Sequence, residues 1–220
     1  TLYRLLCPAR TSEATISCAA GLEKANIREP CIESGAMLLH NKASRKPGRG
    51  GAGVIELENV AYSYGGGELL TDISLKLAPG SFHFLTGPSG AGKTTFLKLC
   101  YGALRPTGGH LRLFDRDVTQ MDRDAIALAR RRIGVVHQDC QFLDHLPVDE
   151  NVALPLIVSG QASPDEQENL AELMTWVGLT NRAHALPPEL SGGERQRAAL
   201  ARALILSPEV ILADEPTGNV

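Results

Sequence analysis

A chain of 220 residues with 43% hydrophobic content suits one packed domain with an appendage. Its net charge of −3 leaves no dominant basic face and so excludes nucleic acid as an expected partner. No run approaches the ~20 apolar residues needed to span a bilayer, so any membrane role has to come through a partner.

Residues 1 to about 53 scatter their apolar side chains without a helical or strand period and end in a basic Gly/Pro stretch, Lys42 to Gly53. Arg and Ser content would suit a transit peptide, but Glu13, Glu23, Glu29 and Glu33 are too many acids for one. The expectation is a disordered or non-native lead-in ahead of a domain that starts at Val54.

Val54 to Val60 alternates with one slip, Leu69 to Leu77 repeats the pattern, and Tyr62 to Gly67 between them reads as a turn. Together they predict a small antiparallel sheet. Pro79-Gly80 then turns the chain into Phe82-His83-Phe84-Leu85, a short buried strand. Gly87-Pro88-Ser89-Gly90-Ala91-Gly92-Lys93-Thr94 follows and fits G-x-x-x-x-G-K-[ST], with helical spacing from Thr94 to Leu104. Small residues let backbone N–H groups curl around a phosphate, and the helix that follows presents its positive end. Lys93 is placed to reach the β- and γ-phosphates, and the Thr94 hydroxyl to sit on Mg²⁺. Tyr64 either stacks on adenine or is an ordinary strand-end tyrosine.

Beyond the loop, a strand is expected over His110 to Phe114, and Asp122 as the N-cap of a helix running to Arg132. Arg130-Arg131-Arg132 reads as a solvated helix end, where positive charge is favoured. Ile133 to His137 reads as a buried parallel strand that leaves Gln138 at its carboxyl end, where ligands of open α/β sheets gather. Residues 139 to about 189 read as an inserted helical lobe. In it, Ser163 to Glu166 forms a capping box, Leu170, Leu173, Met174 and Val177 share one face, and Trp176 packs at the helix end. Ser191 and Glu194 form a second capping box at the head of an apolar helix that ends at Ser207-Pro208-Glu209. Gly192 and Gly193 weaken that helix start but bare its N–H groups for an anion. Val210 to Ala213 then delivers Asp214 and Glu215 at a strand's carboxyl end: Asp214 as a Mg²⁺ ligand, Glu215 as the general base for an attacking water. The five cysteines hold no C-x-x-C pair and read as reduced thiols, and the six histidines do not cluster at zinc-ligand spacing.

In order along the chain, Gly87 to Thr94, Gln138, Leu190-Ser191-Gly192-Gly193-Glu194 and Val210 to Glu215 resemble the Walker A, Q-loop, signature and Walker B segments of the ATP-binding cassette (ABC) ATPases. The resemblance runs from about Val54 to the end of the chain. It implies an α/β P-loop NTPase core with an N-terminal antiparallel β-subdomain and an inserted helical subdomain. It also implies ATP and Mg²⁺ as cofactors, and a site built from Tyr64, Gly87, Pro88, Ser89, Gly90, Ala91, Gly92, Lys93, Thr94 and Thr95, with Gln138, Asp214 and Glu215. Gln138 joins Thr94 and Asp214 as a metal ligand, and Lys93, Gln138 and Glu215 carry the catalysis. Two copies would close head to tail, with Ser191 and Gly193 of one over the γ-phosphate held by the other. A D-loop and a switch histidine are expected beyond Val220, so the chain reads as part of a longer one that could bind without hydrolysing.

Within that family the wording of the phosphate loop, with Gln138-Asp139 through Leu143, Asn151 to Leu156 and Leu212 to Asn219, is similar to the bacterial cell-division ATP-binding branch. That similarity implies an FtsX-like permease partner at the cytoplasmic face of the bacterial inner membrane. The ATPases of lipoprotein-release and macrolide-export systems share the last of these segments and remain the alternative. Cassettes that act on DNA or ribosomes would carry a long coiled-coil insertion or a tandem copy, and neither is visible.

Overall fold

The computed structural model describes residues 54–161 and 164–214, together with the backbones of three short strands nearer the start. Those strands are β1 (Tyr3–Leu6), β2 (Ala14–Ile16) and β3 (Ala25–Arg28). The expected disordered lead-in otherwise lies outside the described residues.

Alternating burial forms the first domain element. In β4 (Ile55–Ser63), Ile55, Leu57 and Val60 are buried, and β5 (Glu68–Leu77) faces it with Leu70, Ile73, Leu75 and Leu77. With β7 (Gly108–Leu113) and β8 (Arg116–Asp117) they make a four-stranded antiparallel sheet in the order β5-β4-β7-β8. β4 runs three residues past the expected Val60, because Tyr62 and Ser63 still pair with Leu70 and Glu68 across a register shift. The turn therefore begins only at Tyr64.

The second sheet holds β6 (Phe82–Leu85), β9 (Ile133–Val136) and β10 (Val210–Ala213). Its order is β2-β3-β6-β1-β10-β9; β9 and β10 pair in parallel, and β1 pairs antiparallel with both β6 and β10. The strand that leads into the glycine loop and the strand that leads into Asp214 thus run the same way, two strand spacings apart, or ~10 Å. Arg4 is opposite both Phe84 and Ala213, and Ala213 is opposite Val136, so the three carboxyl ends are level. One apolar cluster joins the sheets through α1 (Lys93–Cys100), whose Phe96, Leu97, Leu99 and Cys100 are buried with Ile55, Leu85, Leu113 and Leu212.

Between β7 and β9, α2 (Arg123–Arg130) starts at the expected cap: the Asp122 carboxylate accepts from the Ala125 N–H at 2.7 Å. The arginine run at its end is more than a solvated terminus. Arg130 donates to the carbonyls of Tyr101 and Gly102, while Arg132 lies 3.6 Å over the Phe114 ring and forms a two-pronged pair with Glu209 at 2.7 and 2.8 Å. The starts of β9 and β10 are tied together by that pair.

α3 (Val148–Ser159), α4 (Pro164–Trp176) and two short 3₁₀ turns, Thr180–Arg182 and Pro187–Glu189, form the helical lobe. The Ser163 capping box lies outside the described residues. Met174 and Val177 are buried with Val148, Val152 and Leu179, as the sequence spacing requires, but Trp176 is 45% exposed and is not the packing residue expected. Residue 176 falls two positions after Met174, about 200° around the helix, and so faces outward. Fully buried Asn151 organises the approach to α3. Its side chain accepts from Leu143 N–H at 2.8 Å and donates to the carbonyls of Leu143, Leu146 and Pro147. Replacing it with leucine would take the side-chain partner from the Leu143 N–H and the Leu146 carbonyl, while the Leu143 and Pro147 carbonyls keep the N–H groups of Leu146 and Asn151. Asn151→Leu should therefore cost about 2–4 kcal/mol in denaturant unfolding, against under 1 kcal/mol for a surface asparagine.

α5 (Gly192–Leu204) is shared by both halves of the molecule. Ala198 and Ala201 pack into the lobe, and Ala199 and Ala203 into the cluster with Val136 and Ala213. Alanine on both faces lets the helix lie close to each. At the sheet the approach is so close that a Cβ on Gly134 would fall 2.4 Å from the Ala203 carbonyl oxygen.

Candidate functional site

The glycine loop leaves β6 and closes on itself, with Ala91 N–H donating to the Pro88 carbonyl at 3.3 Å. Gly92 caps α1 in the left-handed region (φ 81°), and a Cβ there would come 2.7 Å from Leu70 Cδ2. No other residue satisfies both the backbone and the packing of β5 beneath it. Gly87 is half-buried, Pro88, Ser89 and Gly90 are exposed, and Ala91 is buried. Lys93 turns back under the loop. It is only 6% exposed, and its ammonium donates to the carbonyls of Gly87 at 2.9 Å and Pro88 at 2.6 Å. A cation held at that height, below exposed backbone N–H groups at a helix start, is a seat for an anion. Thr94 is exposed on the first turn of α1 while Thr95 is buried. Tyr64 is 61% exposed, rests edge-on against Tyr62 at 4.8 Å, and its hydroxyl is 3.4 Å from Thr95 Oγ1. An exposed phenol ring is thereby fixed beside the loop.

Gln138 and Asp214 are on the same edge. Gln138 is exposed two residues beyond β9. Asp214 is half-buried just beyond β10, with its N–H donating to the Val136 carbonyl at 2.9 Å. Between them His137 is pushed below the ordinary imidazole range by burial, against the opposing pull of the Asp139 and Asp214 carboxylates. Thr94, Gln138 and Asp214 offer only hard oxygen donors. Among the described residues no group of three or more His, Cys, Asp or Glu could hold a metal alone. That donor set fits Mg²⁺, which is commonly held by one or two carboxylates and completed by phosphate oxygens. Glu215 lies outside the described residues.

Ser191 and Gly193 are at the opposite end of α5 from its contact with Gly134. α5 crosses β9 with its last turn at Gly134 and is ~20 Å long against ~13 Å for the strand, so its first residues overshoot the carboxyl edge. Ser191 caps the helix as expected. Its hydroxyl accepts from Glu194 N–H at 3.3 Å, and the Glu194 carboxylate accepts from Ser191 N–H at 2.8 Å and from its hydroxyl at 2.7 Å. Those bonds, with Arg182 at 3.2 Å, hold Glu194 below the usual carboxylate range. Gly193 is not explained by packing. A Cβ there would meet nothing nearer than Arg197 Nη1 at 3.7 Å.

The ABC transporter family profile matches residues 70–218, more than half of the chain. The chain belongs to that family. This ABC chain is 43% identical to the cell division ATP-binding protein FtsE of Haemophilus influenzae, over 76% of this chain and 78% of the relative. It is equally identical, 43%, to the lipoprotein-releasing system ATP-binding protein LolD 1 of Rhodopirellula baltica, over 69% of this chain and 67% of the relative. Among solved structures it resembles the dimeric ATP-binding cassette MJ0796 in a post-hydrolysis state bound to ADP and Pi. The TM-score is 0.64 and the identity 32%, over 76% and 75% of the two chains. The chain is thus an ABC ATPase subunit that binds and hydrolyses ATP, with the fold expected of that family.

Two further residues matter here whose structural roles the sequence did not indicate. Arg202 of α5 donates to the carbonyls of Cys140 and of Gln141 (2.8 Å), in the turn just after Gln138. Asn151 fixes the start of the lobe beyond it. Both act across long sequence separations or on backbone carbonyls, and neither leaves a spaced motif.

Proposed function

We propose that this ABC ATPase is the FtsE-like subunit of a bacterial membrane complex, acting with an FtsX-type permease on the cytoplasmic face of the inner membrane. The observation that carries the catalytic half of this reading is the level edge. The Lys93 loop, Gln138 and Asp214 converge at three parallel strand ends, while the Ser191 helix start projects outside that edge with an open glycine.

On this reading the loop from Gly87 to Thr95 wraps the phosphates with its backbone N–H groups, Pro88 excepted, Lys93 meets the β- and γ-phosphates, and Tyr64 stacks on adenine. Thr94, Gln138 and Asp214 would hold Mg²⁺, which when bound neutralises charge on the β- and γ-phosphates. Glu215 takes the proton of the attacking water, and Gln138 orients that water as well as the metal. Ser191 and Gly193 of a second, head-to-tail copy cover the γ-phosphate. The MJ0796 cassette was solved as a dimer, which supports this arrangement.

A groove of about 480 Å³ supports the partner half of the reading. Its lining includes Arg130 at the end of α2 and Arg131 just beyond it, Pro155 and Val158 of α3, and Gln141, with Val158 77% exposed and Ile157 60% exposed beside it. Apolar side chains left in water next to cationic ones suit a protein segment with an apolar face and an acidic end. Among the described residues no helix is long and apolar enough to cross a membrane, so attachment would come through that segment. The 43% identity to LolD 1 favours a second reading, in which the partner is a lipoprotein-release permease. Co-expression separates the two. An FtsX-type permease should hold the chain on membranes, and Val158→Asp should release it at unchanged ATP affinity. Retention by a lipoprotein-release permease alone would select the second reading.

A further inference from the structure

The turn after Gln138 is held in an unfavourable conformation. Cys140 (φ 57°) and Gln141 (φ 42°) are consecutive non-glycine residues in the left-handed region. Local bonds, Cys140 N–H to the His137 carbonyl and Gln141 N–H to the Asp139 carbonyl, are compatible with the turn. They involve only its own residues, so they do not fix its place on the protein. Arg202 does. Its two guanidinium arms donate to the carbonyls of Cys140 and Gln141, the second at 2.8 Å, and its Cζ lies 4.7 Å from the Phe142 ring centroid. A planar fork matches two adjacent carbonyls in a way that a lysine ammonium cannot. Arg202 also sits on α5, the helix that starts at Ser191.

We infer that Arg202 is a positioning residue for Gln138, locking the 139–142 turn to α5 so that Gln138 is presented at the strand edge. The inference rests on the proposed role of Gln138, and the test keeps the two apart. Four proteins are compared, wild type, Gln138→Ala, Arg202→Ala and the double variant, by turnover at saturating MgATP, ATP affinity and amide hydrogen exchange over 138–142. Arg202→Ala should slow turnover roughly 10- to 100-fold, the scale expected for a small misplacement of a catalytic group. ATP affinity should stay within about threefold, because the Lys93 loop is untouched. Exchange over 138–142 should rise while that of α1 does not. The double variant should be no slower than Gln138→Ala, since both changes remove one contribution. Arg202→Lys keeps the charge without the fork and should lie between wild type and alanine. It carries the comparison if the alanine variant does not fold. Equal slowing by Arg202→Ala with and without Gln138, or unchanged exchange over 138–142, would overturn the inference. If Gln138→Ala alone leaves turnover intact, the role of Gln138 falls, and the exchange data still decide whether Arg202 holds the turn.

Discussion

Lys93→Ala should lower ATP affinity by two to four orders of magnitude while leaving the fold intact. In the structure the Lys93 ammonium is poised under the loop on the Gly87 and Pro88 carbonyls, at the level where phosphate oxygens would sit. Two hydrogen bonds from a charged donor contribute about 1.5–3 kcal/mol each, hence about 3–6 kcal/mol together. The carbonyls left behind are on a half-buried and an exposed residue that water can reach, so unfolding free energy should change by no more than about 1 kcal/mol. Lys93→Met keeps the aliphatic stem and should lose affinity to the same degree, which assigns the loss to charge and not to packing. Calorimetric titration with ATP, alongside a thermal melt, checks both halves of the expectation.

Gly193→Asp should give the opposite dissociation between folding and assembly. In a single copy the new Cβ meets nothing nearer than Arg197 Nη1 at 3.7 Å, and the residue occupies the second position of α5, where a carboxylate favours the helix dipole. Glycine within a helix is itself less favourable than alanine by about 0.5–1 kcal/mol, so the substitution should hold or slightly raise the melting temperature. ATP affinity of the isolated chain should be unchanged, because the Lys93 loop is elsewhere. Nucleotide-driven pairing is the step that suffers. If Gly193 of one copy covers the γ-phosphate of the other, the new carboxylate faces phosphate at ~4 Å. At an effective dielectric near 20 that repulsion is about 4 kcal/mol, roughly a thousandfold per site. Light scattering with ATP should report a monomer where the parent chain reports a dimer. A variant that dimerised like its parent would show that Gly193 does not cover the phosphate.

The elements that were legible in the sequence are those whose determinants are local. The glycine loop, the Asp122 and Ser191 caps, and the alternation in β4 and β5 each rest on residues within a few positions of one another. So do the apolar runs that end at Gln138 and Asp214. What was not legible depends on partners far along the chain. Arg132 finds Glu209 77 residues away, and Arg202 reaches back 61 and 62 residues to Gln141 and Cys140. The interior role of Asn151 is set by three backbone carbonyls and no motif. Trp176 was misread because its size suggests burial while its angular position on α4 faces it outward. The pairing of β1 between β6 and β10 had no periodic signature at all, since four residues are too few to show one. The position of Glu215 and of the Ser163 cap lies outside the described residues.

The shared site can be tested by mixing two defective chains. Lys93→Ala chains keep an intact Ser191 helix start, and Gly193→Asp chains keep an intact glycine loop. Each variant alone should stay monomeric with ATP, whereas an equimolar mixture should form a heterodimer, because one complete site is rebuilt across the pair. A mixture that stays monomeric, while the parent chain dimerises, would contradict a nucleotide held between the loop of one copy and the helix start of the other.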